Sequence, residues 1–447
     1  MITQAWMPDG LPRIYRMCVR CVMDTTDPSI TFDDAGVCSH CHGFESNIRP
    51  YWMPNAEGEQ RLRDLLEQIK TEGAGRDYDC MIGLSGGVDS SFLTTKLVEW
   101  GLRPLVVHVD AGWNSELAVK NIEVIISKLG LHLDTVVIDW NEMRDLQRAF
   151  LKSQVVNQDI PQDHAFFGAL FHKAIERDIR YVINGNNYAT EGVLPQLWGY
   201  DAMDSTHLRD IHRRFGKRRL RTFPILSFED YFVTMREKLR FVDPLNWMPY
   251  SKQTAIRHLE DNYGWRYYGG KHYESIWTHW FQAHYLPVKL GYDKRKAHLS
   301  SLIVAGSFTR EEALLELEKP LYTDNELAAD SAFVAKKLGF SDEELAALIA
   351  KAPRHYTDFA TNARRIERDR QIKDTSARLA KSAGAVTKAA IQTAGAVAKA
   401  VTETTDTVTK AVMKPAGKIV GHARILVGHA RHIAGSIARR AIAMLNK

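Results

Sequence analysis

A seven-residue loop in the first quarter of the chain has the composition of a phosphate-binding turn. A short buried strand is predicted at 78–84 and leads into it, and a helical stretch to about Trp100 follows. Paired glycines let the backbone turn sharply and bring its N–H groups close to an anion, and the following helix adds its positive N-terminal end. The loop lacks the Lys of a Walker-A motif, so γ-phosphate transfer is not the natural inference. We therefore predict that the phosphates of a nucleotide bind at Ser85, Gly86, Gly87, Val88, Asp89, Ser90 and Ser91.

Strands and helices alternate on the C-terminal side of this loop. Strands are predicted at 105–109, 135–138 and 181–184, with helices at 115–129 and 164–178. Such alternation is typical of an α/β fold with a doubly wound, mainly parallel sheet, which binds ligands at the carboxyl ends of its strands. The residues that follow the second and fourth strands, and that we expect to bracket the nucleoside, are Asp110, Gly185 and Asn186.

A carboxylate near the phosphates could hold Mg²⁺, which prefers one or two carboxylates together with phosphate oxygens. Asp89 is the first candidate and Glu191 the second. Alternatively, Asp89 only complements the dipole of the helix that it opens.

Four of the five cysteines have the spacing of a metal site. They form the pattern C-x2-C-x16-C-x2-C, and a two-residue spacer lets a tight turn aim both thiolates of a pair at one tetrahedral ion. Zinc in a ribbon or knuckle with a role in folding is the favoured interpretation, since four thiolates leave no position for a substrate. Two disulfides or an iron–sulfur site are the alternatives, and His40 and His42 are expected to be bystanders. The predicted ligands are Cys18, Cys21, Cys38 and Cys41.

The segment 265–302 is dense in polar and aromatic residues, with cations and His alternating with apolar positions. This pattern indicates a helix that packs one side and presents the other to a cleft. A solvated charged face is the plainer alternative, and His272 and Glu274 could be a packing pair. The residues that we expect to act in catalysis are Lys271, His272, Glu274, Lys294 and Arg295.

Several of these motifs together resemble a known family. The string Ser-Gly-Gly-Val-Asp-Ser is the signature of the PP-loop ATP pyrophosphatases. Combined with the cysteine pattern, Gly-Lys-His-Tyr-Glu-Ser at 270–275 and Asp-Lys-Arg-Lys-Ala-His-Leu-Ser at 293–300, it is similar to the N-acetyl sugar amidotransferases of bacterial surface-polysaccharide (O-antigen) synthesis. The resemblance covers roughly 15–325. Two departures are Asn186, where many PP-loop proteins carry Glu, and the C-terminal tail.

The resemblance implies an ATP-dependent reaction that releases AMP and pyrophosphate. The acetamido oxygen of a nucleotide-linked N-acetyl sugar would be adenylated and then replaced by ammonia, which leaves an acetamidino group. ATP, Mg²⁺ and Zn²⁺ are the implied cofactors. Ammonia would come from separate glutaminase and cyclase-like subunits, because Ile2 offers no N-terminal nucleophile and Cys80 lies inside a strand.

Modification of tRNA and nucleotide binding without catalysis are the two alternative functions. Thiolation of tRNA normally needs a further cysteine, and none follows Cys80; lysylation of tRNA needs a basic surface. The chain has 59 Lys and Arg against 54 Asp and Glu, but 13 basic and 3 acidic residues lie in 371–447, so the remainder carries −5. A mildly acidic body argues against nucleic acid as a partner. A loop that binds nucleotide without catalysis is the other alternative.

Four regions are predicted: a zinc ribbon at 1–55, a PP-loop domain at 56–245, a helical substrate region at 246–365, and a basic tail at 371–447. The tail repeats every 11 residues, as in membrane-surface helices. A coiled coil, an arm packed on a partner and a disordered tail are the alternatives. Without a long apolar run or a secretory signal, we expect a cytoplasmic protein whose tail contacts the inner face of the cytoplasmic membrane.

Overall fold

The computed structural model describes residues 14–270, 273–368, 370–371 and short runs between 392 and 410. The chain divides into two compact units, Met1–Asn362 and Ala363–Lys447. The boundaries predicted at 55 and 245 lie inside the first unit. Most of the predicted 11-residue repeat lies outside the described residues, so it stays a prediction.

A five-stranded sheet, parallel throughout, forms the centre of the first unit. Its strands in chain order are β1 (Cys80–Gly83), β2 (Pro104–Asp110), β3 (Leu133–Val137), β4 (Tyr181–Ile183) and β5 (Arg240–Val242). Their order across the sheet is β3-β2-β1-β4-β5. The doubly wound fold predicted from the sequence is confirmed, with β5 as an additional edge strand.

The chain reverses direction across the sheet between β1 and β4, because β2 and β3 extend one side and β4 and β5 the other. Met81 pairs with Leu105 on one side and with Val182 on the other. A parallel sheet of this topology opens a crevice at the carboxyl ends of the two strands where the order reverses. The predicted phosphate loop follows β1 directly and therefore lies at this crevice.

Helices cover the sheet and build the remainder of the unit. The first group is α1 (Ser39–Gly43), α2 (Ala56–Glu72), α3 (Val88–Glu99), α4 (Glu116–Leu129), α5 (Trp140–Ser153), α6 (Ile160–Glu176), α7 (Tyr188–Glu191) and α8 (Ser205–Phe215). The second group is α9 (Met235–Lys238), α10 (Lys252–Tyr263), α11 (Ile276–Trp280), α12 (Leu286–Leu290), α13 (Lys294–Ala305), α14 (Arg310–Glu318), α15 (Asp324–Leu338) and α16 (Asp342–Ala350). At the start of several helices, the N-cap side chain accepts a hydrogen bond from a backbone N–H of the first turn. Ser115 does so for α4 and Asp139 for α5.

Helices α11 and α12 are two parts of one helical rod, joined by a π-helical turn at Phe281–Tyr285. Its aromatic side chains share a buried core with the four clustered cysteines, so the N-terminal knuckle and the C-terminal helices are packed as one body. Capping boxes at Thr309, Thr323 and Ser341 begin α14, α15 and α16. The predicted helical C-terminal region is confirmed. Within the described part of the chain, no helix is both long and apolar enough to cross a membrane.

Candidate nucleotide-binding site and cysteine cluster

The loop after β1 makes the sharp turn that its glycines predict. Gly86 has a φ of +82°, and a Cβ added there would lie 2.6 Å from the carbonyl oxygen of Ala118. Only glycine fits this left-handed position against the backbone of α4 without strain. Gly87 is the N-cap of α3, so the N-terminus of that helix faces the end of β1.

Hydroxyl groups of the loop bond to the loop itself. The Oγ atoms of Ser85 and Ser90 are 3.1 Å apart, and the Gly87 N–H donates to Ser85 Oγ over 3.2 Å. Ser91 is different, because it is fully buried and its N–H donates to the Gly87 carbonyl. The geometry therefore brings Ser85 and Ser90 to the loop surface and leaves Ser91 inside the helix packing, contrary to the expectation that its hydroxyl reaches a phosphate.

A distant part of the chain closes over this loop. Tyr268 accepts a hydrogen bond from the Val88 N–H at 3.1 Å, and the indole of Trp265 donates to the Gly86 carbonyl at 3.1 Å. Glu274 Oε1 lies 3.6 Å from the position that a Cβ on Gly87 would take. The sequence indicated that this segment belongs to the active site. It did not indicate that the two aromatic residues form hydrogen bonds with the loop.

Backbone pairing fixes Glu274 in this place. The Ser115 N–H donates to the Glu274 carbonyl at 2.9 Å, and the Ile276 N–H donates to the Trp113 carbonyl at 3.0 Å. The segment at 274–276 is thereby attached to the chain that leaves β2. Lys271 and His272 lie outside the described residues, so their predicted roles stay predictions.

Asp89 lies at the start of α3 and accepts a hydrogen bond from the Tyr250 hydroxyl. Burial, and then the negative charge of Asp89, raise the pKa of Tyr250, which keeps this phenol protonated as the donor. Glu191 raises the same pKa more weakly. The start of α3 therefore presents the Asp89 carboxylate, which suits a cation that takes one or two carboxylates together with phosphate oxygens.

Gly185 and Asn186 follow β4 beside the same carboxylates. A Cβ on Gly185 would lie 3.1 Å from the Asp89 Cβ, so a larger residue would crowd the start of α3. The Asn186 amide donates to Asp243 Oδ1 at 3.2 Å, and burial raises the pKa of that carboxyl. The end of β4 therefore lies beside the start of α3. The Asn186 side chain is hydrogen-bonded to Asp243, which follows β5.

Asp110 ends β2 and shapes the turn that follows. Its Oδ1 accepts hydrogen bonds from the Gly112 N–H at 2.7 Å and from the Asn114 amide at 3.2 Å. Lys337 of α15 donates to the Gly112 carbonyl and lies 4.9 Å from the ring centroid of Trp113. No local pattern in the sequence indicates that Lys337 reaches this strand end.

Arg295 and Lys294 are adjacent in sequence but have different neighbours. Arg295 binds the Asp293 carboxylate at 2.7 Å and donates to the carbonyls of Glu316 and Lys319 at the end of α14. These contacts give Arg295 a structural role, which differs from the role in catalysis predicted for it. Lys294 instead lowers the pKa values of two acids at the start of α6, Asp159 at its N-cap and Asp163 in its first turn.

The four N-terminal cysteines form one compact, fully buried cluster. The sulfur atoms of Cys21 and Cys38 are 3.6 Å apart, those of Cys38 and Cys41 3.7 Å, and those of Cys18 and Cys41 3.9 Å. A tetrahedron with metal–sulfur bonds of about 2.3 Å has edges of ~3.8 Å. The cluster therefore fits one tetrahedral ion, and all four cysteines are free of disulfides.

Hydrogen bonds connect this cluster to the C-terminal helices. The Val22 N–H donates to Ser300 Oγ at 3.2 Å, and Lys296 forms a buried ion pair with Asp24. Arg310 donates to the carbonyl of Cys21 at 3.1 Å. The two neighbouring imidazoles, His40 and His42, bind the carboxylates of Asp27 and Asp33.

The sheet order and the loop after β1 together define an α/β protein of the PP-loop type. Residues 274–373 match the family described as "LPS biosynthesis protein WbpG-like, C-terminal domain". This match supports the family that the motifs indicated, and it covers 100 of the 447 residues. No curated protein matches the chain.

Solved structures with similar folds include enzymes of nucleotide synthesis. NMN synthetase from Francisella tularensis is 16% identical over 46% of this chain and 92% of its own, with a TM-score of 0.26. The NH3-dependent NAD synthetase from Campylobacter jejuni is 14% identical over 66% and 97%, with a TM-score of 0.27. The U34-tRNA thiolase NcsA from Methanococcus maripaludis, with its [4Fe-4S] cluster, is 14% identical over 69% and 91%, with a TM-score of 0.29.

Proposed function

We propose that this protein is an ATP-dependent amidotransferase that converts the acetamido group of a nucleotide-linked N-acetyl sugar into an acetamidino group during surface-polysaccharide synthesis. The observation that carries the proposal is the position of Glu274. This residue opens the WbpG-like region, yet its carboxylate lies against Gly87 of the predicted phosphate loop. The predicted phosphate loop and the start of the matched region thus lie side by side, which supports the proposal.

The reaction needs activation because an amide oxygen is a poor leaving group. Transfer of AMP to that oxygen gives an O-imidate, and ammonia can then displace AMP. The glycine turn at the end of β1 and the positive N-terminal end of α3 are suited to hold the triphosphate. Asp89 and Glu191 would hold Mg²⁺, which neutralises phosphate charge when bound. Lys271 and His272 would add positive charge at the leaving pyrophosphate.

Glu274 has a distinct role in this proposal. A carboxylate beside bound phosphates is repelled by them, so it needs a donor or a cation between itself and the anion. The acetamido N–H of the sugar is such a donor. By accepting it, Glu274 would turn the amide carbonyl oxygen toward the α-phosphate, which is a positioning function.

Zinc is the ion that we propose for the cysteine cluster. Four buried thiolates close a tetrahedral shell, and the hydrogen bonds that Ser300 accepts and Arg310 donates fix the knuckle on α13 and α14. The metal would then stabilise the part of the chain that carries Lys294. A separate glutaminase and a cyclase-like subunit would supply ammonia, and the tail would contact the membrane surface; both stay proposals from the family resemblance and the repeat pattern.

The proposal is tested by incubating the full chain with ATP, Mg²⁺, ammonium chloride and a panel of nucleotide-linked acetamido sugars. We expect one sugar to give AMP, pyrophosphate and a product in which mass spectrometry finds NH in place of O. Formation of ADP, or nucleotide binding without sugar-dependent AMP, would contradict it. AMP formation that depends on tRNA instead of on a sugar would favour the alternative function.

A further inference from the structure

Two acidic residues at the start of α6 lie in the interior, away from the phosphate loop. Asp159 is the N-cap residue of this helix and only 6% exposed, and Asp163 follows one turn later. Burial raises the pKa values of both carboxyls, and their mutual repulsion raises that of Asp159 further. The positive charge of Lys294, at the start of α13, opposes both shifts.

The cluster contains hydrogen-bond acceptors that the described residues do not satisfy. Asp159 Oδ1 and Gln162 Oε1 are buried without a donor, and Gln162 is only 3% exposed. The Gln162 carboxamide lies in the interface between α6 and α11, since its Nε2 donates to Thr278 Oγ1 at 2.9 Å. Trp277 of the same helix and Gln282 lower the pKa of the Asp159 carboxyl through hydrogen bonding, while its Oδ1 atom stays without a donor. An unpaired buried acceptor is destabilising by about 1–3 kcal/mol, so this arrangement is suited to a bound donor.

Charge also points to a cation as the occupant. Asp159 and Asp163 are two carboxyl groups near one lysine, and their raised pKa values show that a second negative charge there is unfavourable without a further cation. A small cation bearing only hydrogen-bond donors would balance the charge and satisfy the free acceptors at once. Ammonium has these properties, whereas Na⁺ has no donors to offer.

A chain of polar side chains connects this cluster to the phosphate loop. Gln162 donates to Thr278, and Thr278 Oγ1 donates to Ser275 Oγ at 3.2 Å. Ser275 directly follows Glu274, whose carboxylate lies beside Gly87. Two side-chain hydrogen bonds thus connect the cluster to Ser275, which is next to the residue that would hold the activated sugar.

We propose that Asp159, Asp163, Gln162 and Lys294 form the binding site for the amine donor, which enters as ammonium and leaves toward the loop as ammonia. This inference rests on the proposed amidotransferase function. Ammonium gives one proton to a carboxylate of the pair and becomes ammonia. Ammonia then forms a C–N bond to the imidate carbon, and the C–O bond to AMP breaks with its electron pair on the phosphate oxygen. The product amidinium keeps the protons of ammonia.

Steady-state kinetics with ammonium chloride as the only nitrogen source test the site. We expect Asp163→Asn and Asp159→Asn to raise the KM for ammonium about tenfold or more, since each removes a charged hydrogen-bond partner. Sugar-dependent exchange of pyrophosphate into ATP, which needs no ammonia, should change much less. Asp145→Asn is the matched control: it removes a buried carboxylate that accepts from His212 and from backbone N–H groups elsewhere, and it should leave this KM unchanged.

A second measurement does not depend on the sugar. Ammonium chloride should raise the melting temperature of the full wild-type chain more than sodium chloride at equal ionic strength, and this difference should vanish in Asp163→Asn. Turnover with an unchanged KM in both variants, and no selective effect of ammonium, would overturn the site while leaving the proposed function intact. Selective stabilisation of a protein that never forms AMP would support the site and overturn the function.

Discussion

Replacing Gly86 by Ala tests whether the loop geometry controls ATP chemistry. A left-handed backbone costs an L-residue about 1–2 kcal/mol, and crowding in a packed region adds ~1–3 kcal/mol. Both apply here, because φ is +82° and the new Cβ would lie 2.6 Å from the Ala118 carbonyl oxygen. The loop must therefore move away from α4. A displacement of about 1 Å at a reacting centre can lower a rate ~100-fold, so we expect AMP formation to fall by that order.

Gly306→Ala provides the matched control. Its φ of +79° imposes nearly the same backbone strain, but a Cβ there would have no atom within 4 Å. It should lose about 1–2 kcal/mol of stability and keep its rate of AMP formation. The measurements are thermal unfolding and the initial rate of AMP release for both variants. Equal rates for Gly86→Ala and the wild type, or equal losses in both variants, would refute the reasoning.

Three further predictions concern the metal, the cover of the loop and pH. Cys38→Ser should abolish stoichiometric zinc, measured by elemental mass spectrometry, and lower the melting temperature, because four thiolates close the site. Tyr268→Phe removes the acceptor of the Val88 N–H, so exchange of pyrophosphate into ATP should need several-fold more ATP, with a loss of about 1 kcal/mol in stability. His164 is buried and neutral, since it accepts from the Leu226 N–H, and burial lowers its pKa to about 4. The free energy of unfolding should therefore fall as the pH decreases from about 6.5 toward 4, because the unfolded chain takes up that proton first. His164→Gln should flatten this pH dependence.

Each of these predictions has a control in the chain. Cys80→Ser changes a buried cysteine of β1 outside the cluster and should keep its zinc. Tyr267→Phe alters the neighbouring phenol and should keep the ATP requirement. His132→Gln changes an exposed imidazole and should keep the pH profile. Zinc retained in Cys38→Ser, or an unaltered pH profile in His164→Gln, would contradict the account of that site.

The sheet and its loop were predictable because their signals are local. The four predicted strands occur as β1 to β4, and each prediction needed only a short apolar run beside a turn or a helix. The edge strand Arg240–Val242 was missed because two of its three residues are exposed, so no apolar run marks it. The cysteine cluster was equally local, since C-x2-C pairs encode their own turns.

Contacts across the cleft could not be predicted from local patterns. Nothing in the neighbourhood of Tyr250, Trp265 or Tyr268 indicates that their polar atoms reach Asp89, Gly86 and Val88. The adjacent cations Lys294 and Arg295 show the same limit. The sequence shows that two cations are adjacent. Only the fold shows that Arg295 binds carbonyl groups at the end of α14, whereas Lys294 lowers the pKa values of two acids of α6.

The central claim is that the loop after β1 directs cleavage between the α- and β-phosphates to activate an amide. The most direct measurement follows [α-³²P]ATP and an acetamido sugar labelled with ¹⁸O in its carbonyl. The account predicts AMP that carries the ¹⁸O label, because the sugar oxygen leaves on the phosphate. Labelled oxygen retained in the sugar, or ADP as the nucleotide product, would contradict it.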